Sequence, residues 1–198
     1  MRVLLGRLSR GARVRAPWCE LAMGVLWALL GLRLGSAVTP AWWLPVPLLL
    51  AAFAVPLVVV DLRHRRLPDA LTLPAYPVLG VAVACAGVFG GDSWLIGRAL
   101  AGAALFAGAH ALVRLLVPAS LGAGDVKLAG SLGGVLGAVG WPAVLVAAVL
   151  ATVLTLALAV ARIHRGEWRT GVPHGPGLLT AAWLVTAFPG TGLEVGHG

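Results

Sequence analysis

The chain has 198 residues, of which 60% are hydrophobic and only 11% are charged. Its mean hydropathy of +0.95 excludes an ordinary water-soluble domain, because so few polar side chains cannot cover a globular surface. The net charge of +8 comes without a basic stretch interleaved with aromatic residues, so we attribute it to membrane topology and expect no nucleic-acid partner.

Six long apolar runs follow one another, and each approaches or exceeds the ~20 residues that a helix needs to cross hydrocarbon. They occupy residues 18–35, 42–60, 70–90, 94–117, 141–161 and 175–189. A shorter glycine-rich run at 126–140 predicts one further crossing. We therefore predict an all-α polytopic membrane protein with about seven transmembrane helices. In this interpretation residues 1–17 form a basic cytoplasmic arm, residues 18–190 a single transmembrane domain, and residues 191–198 a short extracytoplasmic tail.

The basic residues favour seven crossings over six. With the N-terminus in the cytoplasm, seven crossings place 13 of the 15 Lys and Arg residues on the cytoplasmic side, which is the positive-inside pattern. Six crossings would move Arg162, Arg165 and Arg169 to the outer side. We expect the first run to be a retained helix rather than a cleaved signal peptide.

The outer ends of the predicted helices carry few charges and several tryptophans. Arg33 and Arg98 fall there, where long side chains snorkel toward water. The predicted aromatic belt at the outer interface consists of Trp42, Trp43, Trp94 and Trp141.

Three of the seven acidic residues need a functional account: Asp61, Asp69 and Asp125. Asp61 ends an apolar run, and its helix should stop before Leu67, because a residue that precedes proline avoids the α region. Taken alone, Asp61 also fits an interfacial i,i+4 pair with Arg65.

Asp125 opens the predicted fifth helix, in the stretch L-G-A-G-D-V-K-L. Gly122 and Gly124 allow a backbone to approach closely, and Asp125 taken alone also fits a helix N-cap. Both Asp61 and Asp125 are predicted at similar depth on the cytoplasmic side, and charged residues inside membrane segments indicate function. Two facing carboxylates share a proton, so one acts as a base toward water and the other as an acid toward a carbonyl. This constellation is the one used for peptide-bond hydrolysis.

Other chemistries find little support in the sequence. Neither G-x-S-x-G nor H-E-x-x-H occurs, and Cys19 and Cys85 lie far apart, so we expect no metal and treat both cysteines as small buried hydrophobes. His110 is predicted to be a packing residue and His174 to be solvated in a loop. Helix-packing faces are predicted at Gly130, Gly133, Gly134 and Gly137, and at Ala99, Ala103 and Ala107.

Three motifs, in order along about 55–185, resemble those of prepilin peptidases, also called type IV leader peptidases. D-L-R-H-R-R-L-P-D at 61–69 is similar to the family's first aspartate motif, which ends in Leu/Ile-Pro-Asp. G-A-G-D at 122–125 fits the G-x-G-D signature of intramembrane aspartic proteases, and the sequence continues with the family's apolar residue and Lys. P-H-G-P at 173–176 is similar to the family's Pro-x-Gly-Pro, although His174 replaces a residue that is commonly apolar or aromatic.

The resemblance implies that Asp61 and Asp125 are the catalytic pair. It implies supporting roles for Pro68, Asp69, Gly122, Gly124, Lys127, Pro173, Gly175 and Pro176. The implied activity is removal of the leader from type IV pilin-like precursors at the cytoplasmic face of the inner membrane, without a metal or organic cofactor. This sequence contains no Cys-x-x-Cys pair of the kind that larger members associate with N-methylation, so we expect peptidase activity alone. The particular precursor and the oligomeric state stay open.

Alternatives outside and inside the protease class are also open. A small proton-coupled transporter could use the same acidic pair, but it predicts an inverted repeat that the sequence does not display. A non-catalytic assembly subunit would tolerate Asp-to-Asn changes. Presenilin-like enzymes usually place Tyr before the first aspartate, where this chain has Val60. Archaeal preflagellin peptidases are close relatives of the favoured family.

Overall fold

The computed structural model describes residues 18–36, 39–118, 121–166 and 172–190, and this part of the chain forms seven α-helices. They are α1 (Trp18–Gly35), α2 (Pro45–His64), α3 (Asp69–Gly90), α4 (Leu95–Leu116), α5 (Ala123–Val139), α6 (Trp141–His164) and α7 (Gly175–Ala187). The predicted all-α architecture is confirmed. The predicted basic arm at 1–17, the tail at 191–198, Glu167 and Arg169 lie outside the described residues.

Five of the described helices are long and apolar enough to cross a membrane, namely α1, α2, α3, α4 and α6. By contrast, α5 has 17 residues and α7 has 13. These lengths correspond to about 26 Å and about 20 Å of helix, against a hydrocarbon core of about 30 Å. The seven predicted crossings are therefore represented by seven helices, two of which are shorter than the hydrocarbon core and largely buried by their neighbours.

The short helix α5 lies at the centre of the bundle, where it packs against α3, α4, α6 and α7. Its glycines make this approach close. A Cβ on Gly133 would lie 2.5 Å from Phe106 Cβ and 2.6 Å from the Gly102 carbonyl oxygen of α4. A Cβ on Gly134 would instead make ordinary contacts, at 3.6 Å or more, with Ala99 and Ala103. The predicted glycine face is thus a packing surface, and Gly133 and Gly137 lie on it in close contact with α4.

The site residues gather at one end of the bundle, which contains the end of α2 and the beginnings of α3, α5 and α7; we call it the polar end. Here α2 ends at His64, and Arg65 adopts a left-handed conformation with φ of 51° while its N–H donates to the Asp61 carbonyl at 2.8 Å. The helix therefore stops before Leu67 as predicted. Pro68 is the N-cap of α3 and Asp69 is the first helical residue.

Two tryptophans of the predicted belt lie at the end of the bundle opposite the polar end, and they differ in how exposed they are. Trp94 is 77% exposed, as an interfacial residue should be, but Trp43 is completely buried and donates its Nε1–H to the Thr186 carbonyl at 3.0 Å. The belt prediction was wrong for Trp43 because α7 returns beside α2 and covers it.

The two arginines at the opposite end have specific partners, which the snorkelling prediction did not foresee. Arg98 forms an ion pair with Asp92 at 2.6 Å, and the guanidinium of Arg33 stacks over the Phe188 ring at 4.2 Å.

Of the two cysteines, Cys19 is buried as expected, whereas Cys85 is exposed on the outer surface of the bundle.

Candidate active site

Asp61 and Asp125 line one cavity of about 340 Å³ at the polar end. Asp61 comes from the last turn of α2 and is only 5% exposed, and Asp125 comes from the first turn of α5. The two carboxylates are close enough for their charges to interact. The rest of the lining is Arg65, Arg66, Leu67, Asp69, Gly122, Ala123, Gly124 and Lys127. The structure thus brings together the two acids that the sequence singled out.

Asp61 is directed into the bundle toward the beginning of α7. The backbone N–H of Gly175 hydrogen-bonds the Asp61 carboxylate. A Cβ on Gly175 would lie 2.5 Å from Asp61 Oδ2, so only glycine leaves room for this approach. Oδ2 itself accepts no hydrogen bond from the described residues. Burial against α7 therefore replaces the alternative of an interfacial pair with Arg65, whose side chain is exposed.

Asp125 is not the N-cap of α5, because the helix begins at Ala123 rather than at residue 126. The N-cap is Gly122, and Asp125 Oδ2 reaches back to accept its backbone N–H at 3.1 Å. Glycine has no side chain, so this is one half of a capping box, and the helix dipole also favours a carboxylate in the first turn. Asp125 Oδ1 is buried and accepts no hydrogen bond within the described chain. One carboxylate oxygen is therefore fixed by the helix, and the other has no hydrogen-bond partner among the described residues.

The supporting residues of the two aspartate motifs hold these motifs against each other. Lys127 donates to Asp69 Oδ1 at 2.8 Å and to Oδ2 at 2.9 Å. The hydroxyl of Tyr76, one turn further along α3 from the first turn, donates to the Lys127 carbonyl. Gly124 packs so closely on Leu67 that a Cβ would lie 2.8 Å from the Leu67 Cβ. The loop before α3 and the glycine turn before α5 are therefore one packed unit.

The Pro-His-Gly-Pro motif provides the third side of the site. Pro173 is buried, and Pro176 lies in the first turn of α7, where a missing N–H costs no helical hydrogen bond. His174 is half-buried rather than solvated, because its Nδ1 lies 3.0 Å from Thr155 Oγ1 of α6 and its ring faces Asp125 closely enough for their charges to interact. The prediction of a solvated His174 was wrong.

His110 was predicted only as a packing residue, yet it also faces the site. Its ring packs on Phe106 at 4.6 Å, lies 6.0 Å from the His174 ring, and is close enough to Asp125 for charge interaction. Sequence reasoning missed Thr155 entirely, because nothing distinguishes this threonine within the apolar run of α6. The motif at 173–176 was the only signal for His174.

A second cavity, of about 170 Å³, lies between α3, α4 and α5 and faces the outside of the bundle. Its walls are apolar, with residues such as Leu79, Val83 and Ile96, and they carry no carboxylate. Of these two cavities, the one at the polar end is therefore the one lined by carboxylates.

Long apolar helices and a pair of facing carboxylates at one end of the bundle define the class of polytopic membrane proteins with a paired-aspartate site. Within that class, residues 48–160 match the type IV leader peptidase family, Peptidase_A24. The match extends over more than half of the chain, so the chain belongs to this family, as its motifs predicted.

Curated relatives agree with this assignment. The chain is 33% identical over 178 residues to a prepilin leader peptidase/N-methyltransferase of Aeromonas salmonicida, covering 86% of the chain and 57% of the relative. It is 30% identical over 173 residues to the protein of the same name from Neisseria gonorrhoeae, covering 87% and 57%. For that of Stutzerimonas stutzeri the identity is 28% over 173 residues, covering 86% and 57%. The chain thus spans little more than half the length of these relatives. No solved structure matches it at comparable significance.

Proposed function

We propose that this chain is a membrane aspartic endopeptidase that removes the leader peptide from type IV prepilin-like precursors at the cytoplasmic face of the membrane. The family and the names of its relatives support a leader peptidase. The observation that carries the proposal is that Asp61 and Asp125, from two different helices, line a single cavity at the polar end.

In the proposed reaction, the ionised aspartate takes a proton from water while the water oxygen attacks the carbonyl carbon of the scissile peptide bond. The protonated aspartate gives its proton to the carbonyl oxygen, which yields a neutral gem-diol. The aspartate that took the proton from water then gives it to the peptide nitrogen, while the other aspartate takes a proton back from a hydroxyl of the gem-diol. The C–N bond breaks, and the carboxylic acid and amine products leave. The aspartate pair holds one proton at the start and one at the end, so the cycle closes without a cofactor.

The composition of the cavity supports a peptide substrate that enters from the aqueous side. Gly122, Ala123 and Gly124 line the cavity beside Asp125 without large side chains, and Arg65, Arg66 and Lys127 make the rim polar. The apolar helix that follows the leader would stay among the helices of the bilayer. The positive-inside distribution of Lys and Arg supports placing this end in the cytoplasm.

The experiment is a cleavage assay with purified protein in detergent and a full-length pilin-like precursor that carries a basic leader followed by an apolar segment. Mass spectrometry should detect loss of the leader. Asp61→Asn and Asp125→Asn should each reduce the cleavage rate by more than about 10³-fold, because each removes one of two groups that act as a unit.

Asp92→Asn is the matched control, since Asp92 is the aspartate paired with Arg98 at the opposite end of the bundle. This variant should cleave at the wild-type rate. Cleavage by either the Asp61 or the Asp125 variant, in protein that elutes as a folded species, would overturn the proposal.

A further inference from the structure

Asp125 faces two imidazoles in addition to Asp61. His174 precedes α7 and His110 lies on α4, and their ring centroids are 6.0 Å apart. Both rings are close enough to Asp125 that a positive charge on either one would stabilise its carboxylate. The aspartate pair is therefore asymmetric, because Asp61 instead faces the Gly175 amide and the charge of Arg162.

Hydrogen bonds determine which ring nitrogens are available to the site. The Nδ1 of His110 lies 2.8 Å from the Phe106 carbonyl oxygen, which only accepts, so this nitrogen carries a proton. The Nδ1 of His174 is bound to the Thr155 hydroxyl at 3.0 Å, so Nε2 is the ring nitrogen that is left for a second partner. When Thr155 donates this hydrogen bond, the proton of the neutral His174 ring lies on Nε2, the arrangement that a nearby carboxylate favours.

The Thr155 anchor is itself immobilised by the packing of α6 on α7. A Cβ on Gly177 would collide with Thr155 Oγ1 and would lie 2.8 Å from the Ala151 carbonyl oxygen. The hydroxyl is thus held between two helices in close contact, and the His174 ring is held with it. Asp125 Oδ1 is buried and accepts no hydrogen bond from the described residues.

We propose that His174 is a positioning residue which, anchored by Thr155 and accompanied by His110, keeps Asp125 as the ionised member of the aspartate pair. The shared proton then lies on Asp61, so Asp125 is the base toward water and Asp61 the acid toward the carbonyl. This inference rests on the proposed function and assigns the two roles within it.

Arg162 and the Gly175 N–H favour a negative charge on Asp61, whereas the burial of Asp61, which is only 5% exposed, and the nearby charge of Asp125 disfavour it. The other charged groups that line the cavity are Arg65, Arg66, Asp69 and Lys127, and the last two are paired with each other. Burial lowers the pKa of His174 below its ordinary value of 6.5, and this effect exceeds the opposite influence of Asp125. His174 is therefore neutral at neutral pH and takes up a proton in the acidic range, where its charge would oppose protonation of Asp125.

The test is the pH dependence of kcat/KM for precursor cleavage between about pH 5 and 8.5, the range in which imidazoles titrate. His174→Phe removes both the N–H donor and the charge. It should lower kcat/KM by about tenfold at neutral pH and shift the acid limb upward by about one pH unit. His174→Gln keeps an amide donor near the position of Nε2 but cannot gain a charge. It should keep most of the neutral-pH rate and show the same shift of the acid limb. Thr155→Val, which releases the ring, should fall between wild type and His174→Phe.

His164→Phe is the matched control, because His164 is an exposed imidazole at the same end of the bundle. It should have the wild-type profile. A uniform loss of kcat/KM at every pH in the His174 variants would indicate a structural role and overturn the inference, as would profiles that superimpose on the wild type. If His174→Phe does not fold, the acid limb of His174→Gln decides alone. The two proposals can fail separately. If the Asp61 and Asp125 variants are inactive but the His174 variants show an unshifted acid limb, this inference is refuted and the proposed peptidase function stands.

Discussion

Lys127 donates hydrogen bonds to both carboxylate oxygens of Asp69, and this ion pair joins the beginnings of α3 and α5. Asp69 closes the first aspartate motif and Lys127 follows the second aspartate by two residues. The contact therefore fixes the relative position of the two segments that carry Asp61 and Asp125. The side chains of Lys127 and Asp69 are 45% and 56% exposed, so water screens their attraction. The ion pair therefore contributes more to the geometry of the site than to the stability of the fold.

Breaking this pair should affect catalysis more than folding. Lys127→Met should change the unfolding free energy by less than about 1 kcal/mol, because exposed ion pairs contribute little. It should nevertheless lower kcat/KM by about tenfold, because catalytic groups that are displaced by a fraction of an ångström lose much of their effect. Thermal unfolding in detergent and cleavage kinetics measure the two quantities on the same sample.

The charge-swapped double variant Asp69→Lys with Lys127→Asp is the control for this pair. It restores the attraction with the partners exchanged and should recover part of the lost rate. Equal rates in wild type and Lys127→Met would show that the cavity wall does not depend on the ion pair.

Local sequence signals predicted the parts of the site that depend on neighbours along the chain. The pre-proline position of Leu67 correctly located the end of α2, and Gly122 and Gly124 correctly indicated close packing beside Asp125. The start of α5 was placed three residues late, because the run of apolar residues begins after Asp125 whereas the helix begins at Ala123, directly after its glycine N-cap.

Contacts between distant segments left no such signal. Thr155 is one hydroxyl in an apolar helix, and only the packing of α6 on α7 brings it to His174. In the sequence, Trp43 resembles an interfacial tryptophan. In the structure α7 covers it, and the Thr186 carbonyl of α7 accepts its hydrogen bond. Hydropathy records which residues avoid water, but a lipid-facing position and a position buried between helices have the same hydropathy.

The packing of α4 on α5 should be sensitive to a single methyl group. Gly133→Ala would force a Cβ to within 2.5 Å of Phe106 Cβ, so one of the two helices must shift. We expect a destabilisation of about 1–3 kcal/mol, as for other overpacked interiors. Thermal and denaturant unfolding in detergent would measure it.

Gly134→Ala is the matched control for this packing prediction, one position along the same helix. Its Cβ would meet Ala99 and Ala103 at ordinary contact distances, so the gain in helix propensity of up to about 1 kcal/mol should appear as equal or higher stability. If both variants unfolded at the same temperature, close glycine packing would not be what holds α4 against α5.

Gly175→Ala should damage the active site without unfolding the bundle. The new Cβ would lie 2.5 Å from Asp61 Oδ2 and 3.5 Å from Leu67 Cδ1, so the strain falls on the Asp61 carboxylate, which can rotate away, rather than on the helix backbone. That rotation would separate Asp61 from the Gly175 amide and from Asp125. We expect kcat to fall by about 10²-fold with a change in the unfolding free energy below about 1 kcal/mol, because misplacing a catalytic group costs rate before it costs packing.

Gly97→Ala provides the comparison for Gly175→Ala, because a Cβ at Gly97 of α4 would meet no atom within 4 Å. It should leave the rate unchanged and the stability equal or slightly higher. The pattern across variants then separates two effects on the aspartate pair. Gly175→Ala displaces Asp61 and should lower kcat at every pH, whereas His174→Gln leaves the position of Asp61 intact and should move only the acid limb. A Gly175→Ala enzyme with wild-type kcat would mean that the contact of α7 with Asp61 is not required for cleavage, and the site would have to close in a different way around its substrate.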